Sequence, residues 1–343
     1  MPEWRRDPVV DRWVAIATER GKRPSDFKCA AQERNNTACP LCTGCEEHTP
    51  PEVMAFRRAG TPKDAPGWWV RVVPNKFPAV KIEEGQEIFH RGIYEVREGL
   101  GAHEVVVEVP QHVDNLDVQS EKQVEEVLWA WRERSLDLRR DARFKYIQIF
   151  KNYGSTAGAS LEHTHSQIVA TPMVPAEVKN ELEGFRRYAQ ATGRCIFCDL
   201  VAQEAAERER LVIQEKHFLA LAPFASRFPF ELWIVPVAHQ YDFAQIREGE
   251  VRELARVLRA CLRKMSVLLC DPPYNLVLHT SPVNEQEVQR YHWHLEIFPR
   301  LTVIAGFELG TGYYINPTPP ELAARYLRET ELEFEETPYR EAG

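Results

Sequence analysis

No stretch of these 343 residues stays apolar for long enough to span a bilayer. Low-complexity tracts are also missing, and with 44% apolar and 27% charged residues the composition is neither disordered nor collagenous. Basic charge is in short supply, since 43 Lys and Arg stand against 51 Asp and Glu, for a net charge of −8. That balance argues against a nucleic-acid backbone as the main partner, because such binding relies on a basic surface that neutralises phosphates. A small anionic ligand needs only a local cluster of donors and stays allowed. Residues Met1 to Val14 alternate charged and apolar side chains, with neither an apolar h-region nor a small-residue cleavage site. The expectation is a cytoplasmic protein without a membrane partner.

What the chain does contain comes twice. Its length suggests two domains or one repeated unit. The first pass runs Cys39-Pro-Leu-Cys42, an apolar strand from Glu104 to Val109 followed by His112, a helical stretch, and His163-Thr-His165. The second runs Cys195-Ile-Phe-Cys198, an apolar stretch from Phe230 to Val237 ending at His239, a helix, and His292-Trp-His294. Four features repeated in one order point to a tandem duplication. Apolar residues at three- and four-residue spacing predict helices over Glu121 to Arg140 and Glu248 to Leu269. Lys145 to Phe150, Ser166 to Ala170 and Tyr291 to Pro299 read as strands. The fold class is therefore α+β, with antiparallel sheets and flanking helices. The halves are expected at 1–172 and 195–343, joined by a connecting helix over 173–194 that Pro175 opens and Gly193 closes. Scattered Pro and Gly make 58 to 78 and Asn316 to Pro320 read as loops.

Two thiolates at C-x-x-C spacing can take two corners of a tetrahedron, and Zn²⁺ commonly completes its shell with imidazoles. The first half offers Cys39, Cys42, His112 and His163, and the second Cys195, Cys198, His239 and His292. Singly, each histidine would read as a packed or surface residue and each C-x-x-C as a redox pair; the repetition of the whole set favours metal. Four protein ligands close a site, so two structural zinc ions per chain are expected. His48 and His103 compete for the place of His112, but His103 falls inside a strand pattern and reads as packed, which leaves His48 as the rival. Cys29, Cys261 and Cys270 lack such partners and read as incidental or buried thiols.

The segment Asn152 to Gln167 places an anion cradle beside imidazoles. Strand alternation puts His163, His165 and Gln167 on one face. The turn before them, Gly154-Ser-Thr-Ala-Gly-Ala-Ser160, is small enough for backbone N–H groups to approach a phosphate, with Asn152 and Ser160 as added donors. A neutral imidazole is a competent nucleophile toward phosphorus. Gln167 can stabilise a phosphoryl oxygen without bringing a titratable proton to water, which favours transfer over hydrolysis.

This H-x-H-x-Q strand after an Asn-x-Gly turn resembles the active-site motif of the galactose-1-phosphate uridylyltransferase family, within the histidine-triad superfamily. Arg5 to Ala17, Arg23-Pro, Cys39-Pro-Leu-Cys42, Arg71-Val-x-Pro-Asn75 and His292-Trp-His294 extend the resemblance over nearly the whole chain. It implies two histidine-triad-like units, a homodimer with active sites near the subunit interface, and a uridylyl-histidine intermediate in ping-pong transfer. By the same resemblance His165 is the nucleophile and Gln167 positions the phosphoryl group. Asn152 and Ser160 would contact phosphate or ribose, and Arg23, Asn75 and Phe77 would belong to the nucleotide pocket. Some members bind iron in the second half through histidines and a glutamate, which keeps His279 and His294 as alternative ligands. In the second half His294 takes the nucleophile's place but is followed by Leu295-Glu296, so that unit reads as structural. The segment from Ala305 to Asn316-Pro resembles a sugar-phosphate loop found in some uridylyltransferases and in ADP-glucose phosphorylases, which brings in Glu308 and Asn316. The expected reaction transfers UMP from UDP-glucose to a hexose 1-phosphate, galactose 1-phosphate; the alternatives are ADP-glucose phosphorolysis and a zinc-stabilised nucleotide binder without turnover.

Overall fold

A computed structural model describes residues 1–20, 23–27, 39–113, 115–286 and 288–332. The chain begins with the hairpin β1 (Glu3–Arg6) and β2 (Trp13–Ile16). Next come β3 (Met54–Arg57), β4 (Trp68–Pro74), a projecting hairpin of β5 (Ile88–Arg91) and β6 (Tyr94–Arg97), and β7 (Ala102–Val107). α1 (Glu121–Leu138), β8 (Tyr146–Tyr153) and β9 (His165–Thr171) finish the first half. Two helices, α2 (Ala176–Thr192) and α3 (Ile196–Glu207), lead to β10 (Leu211–Gln214), β11 (Phe218–Leu221) and β12 (Leu232–Pro236). α4 (Glu248–Leu269), β13 (Tyr274–His279) and β14 (His294–Pro299) follow, then α5 (Gly306–Thr311), β15 (Tyr314–Asn316) and α6 (Pro320–Glu329).

Ten of the strands form one antiparallel sheet in the order β10-β11-β12-β14-β13-β8-β9-β7-β4-β3. Each half supplies five strands, and both take the same path. The third strand to form pairs with the fifth, and the fourth reaches the seam, where β8 meets β13 with Asn152 opposite Asn275. The expected pair of half-sheets is thus fused edge to edge, which removes one exposed edge from each half.

The helices form where the apolar stripe and caps require them. Ser120 accepts the Gln123 N–H at 3.1 Å, starting α1, and Val124, Val127, Leu128, Trp131 and Leu138 fall on its buried side. In α4, Val251, Leu254, Leu258, Leu262 and Met265 do the same. α1 and α4 share one core with Val106, Ile149, Ile168, Leu276 and Leu295 of the sheet. α2 and α3 cover the other face over the second half, through Phe185, Phe197, Leu219 and Trp233. Over the first half that face instead receives the Cys39–Cys42 loop, whose Leu41 packs on Trp68 and Val107.

Three expectations change. The stretch 58 to 78 contains β4, where Val70, Val72 and Val73 are buried in a strand that Pro74 ends. The sugar-loop segment is ordered as α5 and β15, with β15 pairing in parallel with β2. Cys261 is buried as expected, but Cys270 is disulfide-bonded; Cys29 lies outside the described residues. Among the described residues no helix is long and apolar enough to cross a membrane.

Candidate active site

The face of the first half that receives the Cys39–Cys42 loop carries His163, His165 and Gln167. His165 opens β9, and the register that sets Phe150 opposite Gln167 brings Asn152 toward His165 across the β8–β9 pair. Nδ1 of His165 lies 2.7 Å from the carbonyl oxygen of His163. A carbonyl only accepts, so Nδ1 holds the proton and Nε2 keeps a free lone pair. Burial, and then the Lys151 cation, push His165 below the ordinary value of 6.5. The ring is therefore neutral at pH 7. Lys151 is itself almost fully buried, donating to Glu108 (2.7 Å), Thr164 Oγ1 (2.8 Å) and the His165 carbonyl (3.1 Å), so it fixes the strand on which the imidazole stands.

The turn between β8 and β9 depends on two glycines in left-handed or related conformations, Gly154 at φ 79° and Gly158 at φ 89°. Between them Ser155–Ala157 makes one tight turn. Asn152 Oδ1 accepts from Asn275 of the other half at 2.8 Å, and the same Asn275 amide donates to the Ala157 carbonyl at 2.8 Å. That leaves the Asn152 amino group as the donor facing the cradle. Ser160 stands exposed on the approach to β9.

The two Cys/His sets come together as the repeat suggests, and His112, not His48, completes the first. Cys39 and Cys42 lie 3.6 and 3.5 Å from Nδ1 of His163, and Cys42 lies 3.5 Å from Nδ1 of His112. In the second set Cys195 and Cys198 lie 3.7 Å from Nδ1 of His292, and Cys198 3.6 Å from Nδ1 of His239. Tetrahedral Zn–S and Zn–N bonds of about 2.3 and 2.0 Å give an S···N edge of about 3.5 Å, so both sets could hold such an ion. The far nitrogens of His163, His239 and His292 point at backbone carbonyls (Val109, Gln289 and Pro236), which orients Nδ1 inward. Burial pushes His163 down to about 4, keeping it in the neutral, ligating form.

The second half repeats the frame with different side chains. Register aligns His279, His294 and Glu296 with Asn152, His165 and Gln167. His294 Nδ1 again meets the carbonyl of His292, at 3.1 Å, but its ring stacks on Phe197 at 4.6 Å and on His279 at 4.8 Å. Phe197 occupies the place of Leu41 in its C-x-x-C loop and fills the space beside the imidazole. His279 sits 2.8 Å from Glu181 and 3.1 Å from Glu296; burial opposes its charge, but these two carboxylates push it up to about 10. Arg227 also reaches Glu296, at 2.7 Å. Glu181, His279 and His294 form a third group able to hold a cation, and Glu181 is the member that sequence reasoning missed.

The remaining predicted residues divide. Asn75 approaches His103, and His103 contacts Gln167 at 2.8 Å, so Asn75 joins the site through a histidine expected only to pack. Phe77 is 84% exposed on the adjoining loop. Arg23 is exposed on the turn Pro24–Asp26. Glu308 accepts the Ala305 N–H and starts α5, away from the H-x-H-x-Q strand in hydrogen bonding. Asn316 is fully buried, donating to the carbonyls of Ser226 and Phe228 and accepting from Thr318, so its amide is engaged inside the protein and offers no free donor to a sugar.

The chain is similar to known proteins over most of its length. Residues 1–175 match the model of the galactose-1-phosphate uridyl transferase N-terminal domain. The chain belongs to the galactose-1-phosphate uridylyltransferase family. Residues 129–335 also match a domain of unknown function, DUF4921. The chain is 38% identical over 338 residues to an ADP-glucose phosphorylase of Arabidopsis thaliana, covering 96% of this chain and 93% of that protein. It is 33% identical to a galactose-1-phosphate uridylyltransferase of Thermotoga maritima, covering 97% and 100%. A solved structure of the Arabidopsis thaliana phosphorylase with bound ADP-glucose superposes with a TM-score of 0.81 at 35% identity, over 97% of this chain and all of that one. The chain is thus a nucleotidyltransferase of this family, and each of its two Cys/His groups could hold a metal ion.

Proposed function

We propose that this enzyme transfers a nucleoside monophosphate from a nucleoside diphosphate hexose to a phosphate-bearing acceptor through Nε2 of His165. The observation that carries it is the Nδ1 contact to the His163 carbonyl, which leaves Nε2 unprotonated on the strand that follows the Gly154–Gly158 turn. Nε2 attacks the α-phosphorus, an N–P bond forms, and the bond to the hexose 1-phosphate oxygen breaks. The acceptor's phosphate oxygen then displaces the imidazole, which returns neutral. Gln167 and Asn152 donate to the phosphoryl oxygens as charge builds on them, and Ser160 and Phe77 extend the pocket toward the nucleotide.

Adenylyl transfer from ADP-glucose to inorganic phosphate has the support of the 38% identical relative and of its ADP-glucose complex. Uridylyl transfer between UDP-glucose and galactose 1-phosphate, expected from the motifs, is supported by the 33% identical relative. Intact mass spectrometry after brief incubation with each donor, without acceptor, separates them. An adenylyl adduct alone fits the first reaction, a uridylyl adduct the second, and no adduct with either would sink covalent transfer. Apolar side chains left exposed on the β5–β6 hairpin and on α5, such as Tyr94 and Leu309, support a homodimer; native mass spectra of the same sample count the subunits.

Both Cys/His centres are proposed to hold zinc. When bound, zinc ties each C-x-x-C loop to its H-x-H strand and leaves transfer to His165. Elemental analysis should return close to two zinc equivalents per chain, and Cys39→Ser with Cys42→Ser should remove one of them. A fully active chain with neither would rule the centres out.

A further inference from the structure

We infer that His103 is the positioning residue that turns the Gln167 amide toward the phosphoryl group, an inference that rests on the transfer reading of His165 and Gln167. The Ala79 N–H donates to Nδ1 of His103 at 3.1 Å. That nitrogen therefore carries no proton, and the single proton of the neutral ring stands on Nε2. Nε2 lies 2.8 Å from Oε1 of Gln167, so the ring donates to the amide oxygen. Gln167 is left with its amino group as the free end. The reverse amide orientation would set amino group against N–H, donor against donor.

Asn75 Oδ1 accepts from the Phe77 N–H at 2.9 Å, which turns its amino group to within 3.1 Å of His103 Nε2. With the ring proton on Nε2 both groups are donors, so Asn75 makes no hydrogen bond to that nitrogen, and the Ala79 and Gln167 contacts set the ring. His103 also holds the loop from both sides, because the Asn75 N–H donates to its carbonyl at 2.7 Å and Ala79 to its ring. In register it sits opposite Val169, diagonal to Gln167 on the same face of the sheet, and it borders a cavity of about 640 Å³ shared with Asn75 and Arg134. One ring thus links the loop bearing Asn75 and Phe77 to the amide that meets the phosphoryl oxygen.

The test compares wild type, His103→Asn, His103→Gln, Gln167→Ala and the double variant His103→Asn/Gln167→Ala, using ADP-glucose with phosphate and UDP-glucose with galactose 1-phosphate. Asn keeps an acceptor near the Nδ1 position and loses the donor to Gln167, whereas Gln restores an N–H near the Nε2 position. His103→Asn should lower kcat about 10- to 100-fold with KM within about threefold, and His103→Gln should recover most of the loss. Because the residue acts through Gln167, the double variant should be no slower than Gln167→Ala alone. Additive losses, an unchanged kcat in His103→Asn, or no recovery in His103→Gln would overturn the role. Thermal unfolding is followed for every variant, and His103→Ser takes the place of the Asn variant should that chain not fold. The nucleotide adduct on wild type is measured in the same preparations. Its absence sinks the transfer reading itself; its presence with an unaltered His103→Asn rate sinks only the role of His103.

Discussion

His165→Asn is expected to lower nucleotidyl transfer at least about 10⁴-fold while the chain stays folded. The geometry explains why the two effects separate. The side-chain amino group of Asn can donate to the His163 carbonyl as Nδ1–H does, so the local hydrogen bond survives. Nothing in Asn reaches the Nε2 position, and an amide nitrogen has no lone pair to offer phosphorus. His163 keeps its approach to the two thiols, so the adjoining metal centre should persist. Steady-state transfer, thermal unfolding and the intact mass after donor alone check the three parts together. Normal exchange in this variant would remove His165 from the mechanism, and an adduct that survives the substitution would assign the nucleophile to another side chain.

The parts of this site that show in the sequence are those whose chemistry restricts residue type and spacing together. A tetrahedral metal centre would need thiols and imidazoles, so Cys39, Cys42, His112 and His163 stand out, and their repetition as Cys195, Cys198, His239 and His292 makes both groups visible. Helices α1 and α4 show because their apolar stripes run for several turns. Strand-borne polar residues are harder to read. His103, Lys151 and Asn275 each interrupt an apolar alternation in the same way that a solvent-facing residue would. Only pairing reveals their partners, since Asn275 meets Asn152 across the seam between halves and His103 meets Gln167 across a diagonal. The fused ten-stranded sheet is hidden for a related reason, because the β8–β13 contact joins residues more than a hundred positions apart. Asn316 shows the opposite error. A polar residue in a glycine-rich segment looks like a ligand contact, and its amide instead closes backbone gaps at Ser226 and Phe228.

The duplicated frame also shows how similar halves diverge. Where the first half has neutral donors, Asn152 and Gln167, the second has ionisable His279 and Glu296. Where the first has Leu41 packed on Trp68 and Val107, the second inserts Phe197 against His294. These exchanges leave the backbone path unchanged and turn a face suited to a phosphoryl group into a packed, charged cluster.

Beneath His165, Lys151→Met is expected to cost about 3–5 kcal/mol, because it leaves Glu108 charged in the interior without its cation. Lys151 and Glu108 are 1% and 0% exposed, so solvent gives little relief. A chain of this size should then unfold roughly 5–10 °C earlier. Adding Glu108→Gln should recover more than half of that loss, since the buried charge goes with its partner. Activity measured below the unfolding range supplies a second readout. Burial contributes most to the lowered His165 value and the Lys151 charge comes next, so removing that charge lets the ring bind a proton at higher pH. Nucleophilic Nε2 is lost once the ring protonates, so the acid limb of kcat/KM should move to higher pH in Lys151→Met, while rates at alkaline pH converge with wild type after correction for folded enzyme. An unchanged acid limb together with the expected loss of stability would restrict Lys151 to holding the strand. An unchanged stability would show that Glu108 finds another partner in the interior.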